Sequence, residues 1–84
     1  MKTETMKTNF GPVRVACYAL PESAGFDRWT ILFPDEPASN ADSRLRTCLG
    51  MSGHGSGLPG RHLGKRAPFS DMPESLRLRV TQSR

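Results

Sequence analysis

Nowhere in the 84 residues does an apolar run approach the roughly 20 residues that a membrane-spanning helix needs, which excludes a transmembrane helix and leads to the expectation of a soluble chain with no membrane partner. Cysteine is nearly as scarce. Cys17 and Cys48 are too few for a disulfide scaffold, and no apolar leader precedes them, so reduced thiols in a cytoplasm are expected. Aromatics number six, about what one small core consumes, and 36% hydrophobic residues leave room for one core only. What the chain has in quantity is turn formers, seven prolines and eight glycines, so elements are expected to be few and short.

Acidic residues are missing from one half in particular. Residues 1–42 carry four basic and six acidic side chains, a net of −2, whereas residues 43–84 carry eight basic and two acidic, a net of +6. A half of that sign attracts a polyanion or an acidic protein surface.

Residues 1–9 are polar and without periodicity, and read as a flexible N-terminal tail ahead of a single α+β domain over residues 10–84. Residues 13–20 alternate, with Val13, Val15, Cys17 and Ala19 on one face and Arg14, Ala16, Tyr18 and Leu20 on the other. That is a strand's period of two. Residues 26–33 read as its hairpin partner, with Trp29, Ile31 and Phe33 toward the core and Arg28 on the opposite face. Pro34 to Ser43 reads as a polar connection because proline donates no ladder hydrogen bond. Residues 44–51 read as a third strand. Six glycines between Gly50 and Gly64 exclude a regular element there. Asp71 reads as the cap of a C-terminal helix with Pro73 in its first turn, and Met72, Leu76 and Val80 share one helical face. The expected fold is therefore a small three-stranded antiparallel sheet with one C-terminal helix packed on it and a long glycine-rich loop.

Within that loop, Gly60-Arg61-His62-Leu63-Gly64-Lys65-Arg66 resembles a phosphate cradle only in outline. A P-loop places four residues between its glycines and a Ser or Thr after its lysine; here three residues intervene and Arg66 follows. The loop nevertheless gathers Arg61, His62, Lys65 and Arg66, and the third strand adds Arg44 and Arg46. These six are the expected partner-binding residues, suited to phosphates or an acidic partner.

Cys17, Cys48, His54 and His62 are zinc-ligand types without the close pairing that a zinc site uses, so no metal or cofactor is expected. Cys48 with His54 or His62 and Asp71 is the sole nucleophile-and-base combination, and nothing in the spacing brings it together. An enzyme is not expected. Tyr18, opposite Val15, is the candidate exposed aromatic for stacking on a base.

The succession Phe26-Asp27-Arg28-Trp29-Thr30, Leu49-Gly50-Met51-Ser52, Pro59 to Arg66 and Phe69 to Glu74 resembles a family of short phage and mobile-element proteins. The resemblance spans residues 26–80. It implies a phage-encoded accessory protein that inhibits a host CRISPR-Cas effector complex stoichiometrically, docking on it and blocking DNA binding or nuclease recruitment. The alternative is a small basic regulator that binds nucleic acid directly.

Overall fold

The structure, a computed structural model, describes residues 2–38 and 42–83. Met1 of the expected tail, residues 39–41 of the expected polar connection and Arg84 lie outside the described residues. Among the described residues, six strands form one antiparallel sheet: β1 (Glu4–Thr8), β2 (Gly11–Ala19), β3 (Trp29–Pro37), β4 (Arg46–Gly50), β5 (Gly53–Gly57) and β6 (Lys65–Ala67). An α-helix, α1 (Glu74–Ser83), follows. Pairing runs β1-β2-β3-β4-β5, with β6 also on β2. The α+β class and the C-terminal helix stand, but three strands are too few.

Each added strand has a physical reason. Residues 4–8, expected as part of a flexible tail, form β1 because the two-residue turn Asn9-Phe10 returns the chain directly onto β2, pairing Thr8 with Gly11 and Glu4 with Val15. Gly11 takes φ +112°, which only glycine adopts without strain. The Thr8 hydroxyl closes the turn, donating to the Gly11 carbonyl at 2.6 Å and accepting from the Phe10 amide at 3.1 Å.

Residues 53–57 form β5 inside the glycine-rich stretch. Its main-chain groups pair with β4 from Gly50↔Gly53 to Arg46↔Gly57. Glycine's poor strand propensity is outweighed because an edge strand beside a tight turn needs ladder hydrogen bonds more than side-chain packing. The Asp27 carboxylate secures that turn, accepting from the Met51 amide at 3.0 Å and the Ser52 hydroxyl at 2.7 Å. A Cβ on Gly50 would lie 2.9 Å from Asp27 Oδ1, so glycine at 50 makes the clamp possible.

β3 runs on through Pro34 to Pro37, into the expected connection. The ladder to β4 breaks where proline interrupts it, the register jumping from Phe33↔Thr47 to Pro37↔Arg46. At this end Arg46 Nε donates to the freed Pro34 carbonyl at 3.0 Å.

The sheet is covered on both faces. On one, Val15, Cys17, Ile31, Phe33 and Leu49 pack against Leu76 and Val80 of α1 and against Met72, which lies in extended backbone ahead of the helix rather than on its face, with Trp29 partly buried beside them. The alternation read from the sequence places these residues on that face, and α1 covers it. Asp71 does not occupy the cap position, however: it ends a 3-10 turn (Phe69–Asp71), and the helix opens at Glu74 after Pro73. On the other face Ala16, Tyr18, Leu32 and Cys48 form a second apolar cluster, against which Leu63 packs. Residues 15–18 are therefore buried without interruption. Among the described residues, no helix is long and apolar enough to cross a membrane.

Candidate basic cleft

After β5 the chain must travel from one edge of the sheet to the other, because β6 pairs with β2. It crosses the face opposite α1. Leu63 is the anchor of this crossing, and the 3-10 turn Arg61–Leu63 places Arg61 and His62 on its solvent side, both exposed. Gly64 then presses against β2. Its φ is +106°, and a Cβ there would overlap the Ala19 carbonyl and lie 2.8 Å from the Leu20 amide nitrogen. No other residue type permits that approach. Lys65 and Arg66 next pair with Ala19 and Tyr18, which fixes their backbones on the rigid sheet.

This path leaves a cleft of about 940 Å³ where β2 ends, between the β2–β3 connection and the crossing loop. Its charged lining consists of Arg28, Arg61, Lys65 and Arg66, and Leu20 and Pro21 contribute apolar wall. Among the described residues, no acidic side chain lines it. Among the described residues, neither Arg61 nor Lys65 has an ion-pair or hydrogen-bond partner for its side chain. The Arg66 guanidinium lies 5.2 Å from the centroid of the Tyr18 ring and donates to the Lys2 carbonyl.

Of the six expected partner-binding residues, the fold brings three together: Arg61, Lys65 and Arg66. His62 is next to the cleft without lining it, and its ring folds back over Gly60, with Nδ1 3.1 Å from the position of a Cβ there. Arg44 and Arg46 sit at the opposite end of the sheet, since Arg46 pairs with Pro37 whereas the cleft adjoins the Trp29 end of β3. Four strand steps lead from Trp29 to Phe33 and one more along β4 from Thr47 to Arg46, roughly 17 Å at the rise of an extended strand. Both arginines are also engaged locally. Arg44 forms a forked pair with Asp42 at 3.0 and 3.1 Å, and Arg46 donates to the carbonyls of Pro34, Ser43 and Leu45.

The fourth cation, Arg28, escaped the sequence reading. Placed inside a strand from residue 26, it alternates away from Trp29; the strand in fact starts at Trp29, so Arg28 belongs to the preceding turn and folds back over the cleft. It also lies in the acidic half of the chain, which hides it from any charge count by halves. The signal present was its neighbour, because an arginine adjoining the lone tryptophan can stack on it.

Tyr18 is not the exposed stacking platform expected of it. Only 5% of it is accessible. The candidate nucleophile is not assembled either. The register sets His54 opposite Leu49, on the other sheet face from Cys48. Burial holds the Cys48 thiol above its ordinary range, and pushes Cys17 up to about 12, with Glu4 adding to the rise and Arg66 opposing it. Both cysteines are buried and free. They stay protonated and poorly nucleophilic. Among the described residues, no group of three His, Cys, Asp or Glu side chains is placed to hold a metal ion.

No protein-family model matches the chain, and no curated protein or solved structure matches it significantly.

Proposed function

We propose that the chain is a small nucleic-acid-binding regulator whose basic cleft takes the phosphate backbone of an unpaired strand. The observation that carries this reading is a concave site whose charged lining is entirely basic, mounted on an apolar wall. Cations fixed on a sheet edge meet phosphates, and the wall of Leu20 and Pro21 offers an apolar surface to a base. The unpartnered guanidinium and ammonium of Arg61 and Lys65 need no protein contact broken before binding.

Docking on a host CRISPR-Cas effector, which the family resemblance implies, would have the loop cations and the strand-borne Arg44 and Arg46 together complement an acidic protein patch. Those two arginines lie at the far end of the sheet and are held by their own hydrogen bonds. The remaining cations form a cleft rather than a face, which suits a strand better than a flat acidic patch.

The test is fluorescence anisotropy with a labelled oligothymidylate over a salt series. Binding is expected to weaken linearly on logarithmic axes, by about 0.7 in slope for each phosphate contacted. The combined Arg61→Ala, Lys65→Ala and Arg66→Ala variant is expected to flatten that slope by roughly two units. Absence of saturable binding at low salt, or an unchanged slope in the variant, overturns the reading. Co-elution with a CRISPR effector by a protein that ignores the oligonucleotide would do so in favour of docking.

A further inference from the structure

Residues 27–29 act as one unit with three different jobs. Asp27 clamps the β4–β5 turn, Trp29 packs at the edge of the helix-covered core, and Arg28 between them faces the cleft. The Arg28 guanidinium carbon lies 3.9 Å from the centroid of the Trp29 ring, so cation and ring are in direct contact. One of its terminal nitrogens, Nη1, donates to the Leu20 carbonyl at 2.9 Å, and the Arg28 carbonyl accepts from the Leu20 amide at 2.9 Å. A guanidinium carries five N–H donors in a planar fork. Its contacts with the ring and with one carbonyl orient that fork and leave donors over.

We propose that Arg28, seated on Trp29 and pinned by Leu20, is the phosphate fork of the cleft, the group that takes a phosphate by two hydrogen bonds while Arg61, Lys65 and Arg66 supply surrounding charge. The proposal rests on the nucleic-acid reading of the cleft for its natural ligand. The physical case is preorganisation: long cationic side chains lose rotamer freedom on binding, and one already held by a ring and a carbonyl loses less. Lysine cannot replace it, since an ammonium neither stacks as a plane nor presents a fork. Trp29 is the only tryptophan in the chain, so its emission reports the Arg28 site without a label.

The experiment titrates the full chain with inorganic pyrophosphate and, separately, with oligothymidylate, reading tryptophan emission beside anisotropy. A saturable emission change that tracks oligonucleotide binding is expected. Arg28→Lys is expected to bind the oligonucleotide roughly tenfold more weakly with its charge unchanged, and Arg44→Lys, the same exchange at an arginine that does not line the cleft, within about twofold of the unaltered chain. Thermal melts establish that both variants fold; if Arg28→Lys does not, the emission titration of the unaltered chain decides. Wild-type affinity in a folded Arg28→Lys variant, or emission unchanged at full oligonucleotide occupancy, overturns the assignment. Emission responding to pyrophosphate in a chain that binds no oligonucleotide upholds Arg28 as a phosphate fork and overturns the nucleic-acid reading alone.

Discussion

Single side chains in this protein do their work mostly by holding backbone. Asp27 closes a turn, Arg46 donates to main-chain carbonyls where the β3–β4 ladder breaks, and Glu4 accepts the Phe69 amide at 2.8 Å, tying β1 to the approach of α1. Arg14 and Asp35 are the contrasting case, a forked ion pair between β2 and β3 at 2.7 and 2.9 Å with both side chains more than half exposed. Solvent screens such a pair, so its contribution to stability is small. Its effect on titration is still measurable. Hydrogen bonding to Arg14 holds the Asp35 carboxyl below its ordinary value of 3.8. The stabilisation is therefore fully present above that ordinary value and is lost as pH falls through the lower folded one. NMR titration of the side-chain carboxyl is expected to place Asp35 below the ordinary aspartate range and to show it move up in Arg14→Gln; an unmoved Asp35 would mean that the pair does not persist in solution.

At the scale of elements, the crossing segment between β5 and β6 decides whether a cleft exists. It is held at one end by Leu63 in the second apolar cluster and at the other by the close approach of Gly64 to β2. Gly64→Ala combines a left-handed backbone with overlap against the Ala19 carbonyl, and neither can be relieved by a side-chain rotation. A loss of roughly 3 kcal/mol is expected, read by urea denaturation, together with weakened oligonucleotide binding because Lys65 and Arg66 lose their register. Gly55 offers a control on the same type of residue: a Cβ there meets nothing within 4 Å and its φ is unexceptional, so Gly55→Ala is expected to change little.

Across the whole molecule, one sheet serves two cores. The helix covers Val15, Ile31, Phe33 and Leu49, and the crossing segment covers Ala16, Tyr18 and Leu32. Because neighbouring residues of β2 belong alternately to the two, neither core can come apart without disturbing the strand that both share. Leu76 is fully buried, so Leu76→Ala is expected to cost about 3 kcal/mol. Leu63→Ala, at a half-buried position, is expected to cost less. Both are expected to shift one common unfolding transition, with near-UV and far-UV circular dichroism coinciding; two separated transitions in either variant would show that the cores unfold independently. The polarity of the molecule follows from the same arrangement: the crossing delivers Arg61, Lys65 and Arg66 to the end of β2 where Arg28 waits, and leaves Arg44 and Arg46 at the other end.

What the sequence determined by itself was whatever local periodicity encodes. Alternation over residues 13–20 and 44–51 placed two strands and their faces, and the four-residue spacing of Leu76 and Val80 identified the buried side of α1, whereas Met72, read onto the same helical face, reaches that core from extended backbone ahead of the helix. The basic loop residues Arg61, Lys65 and Arg66 were legible as a charge cluster. Tertiary structure alone decided the rest. β1 and β5 form from polar and glycine-rich segments because β2 and β4 present edges whose main-chain groups require partners. Tyr18 is buried because a segment forty residues downstream crosses over it. Arg28 joins the cleft, and Arg44 and Arg46 do not, because which cations meet depends on strand order and register. Those are relations between distant segments, and no local pattern records them.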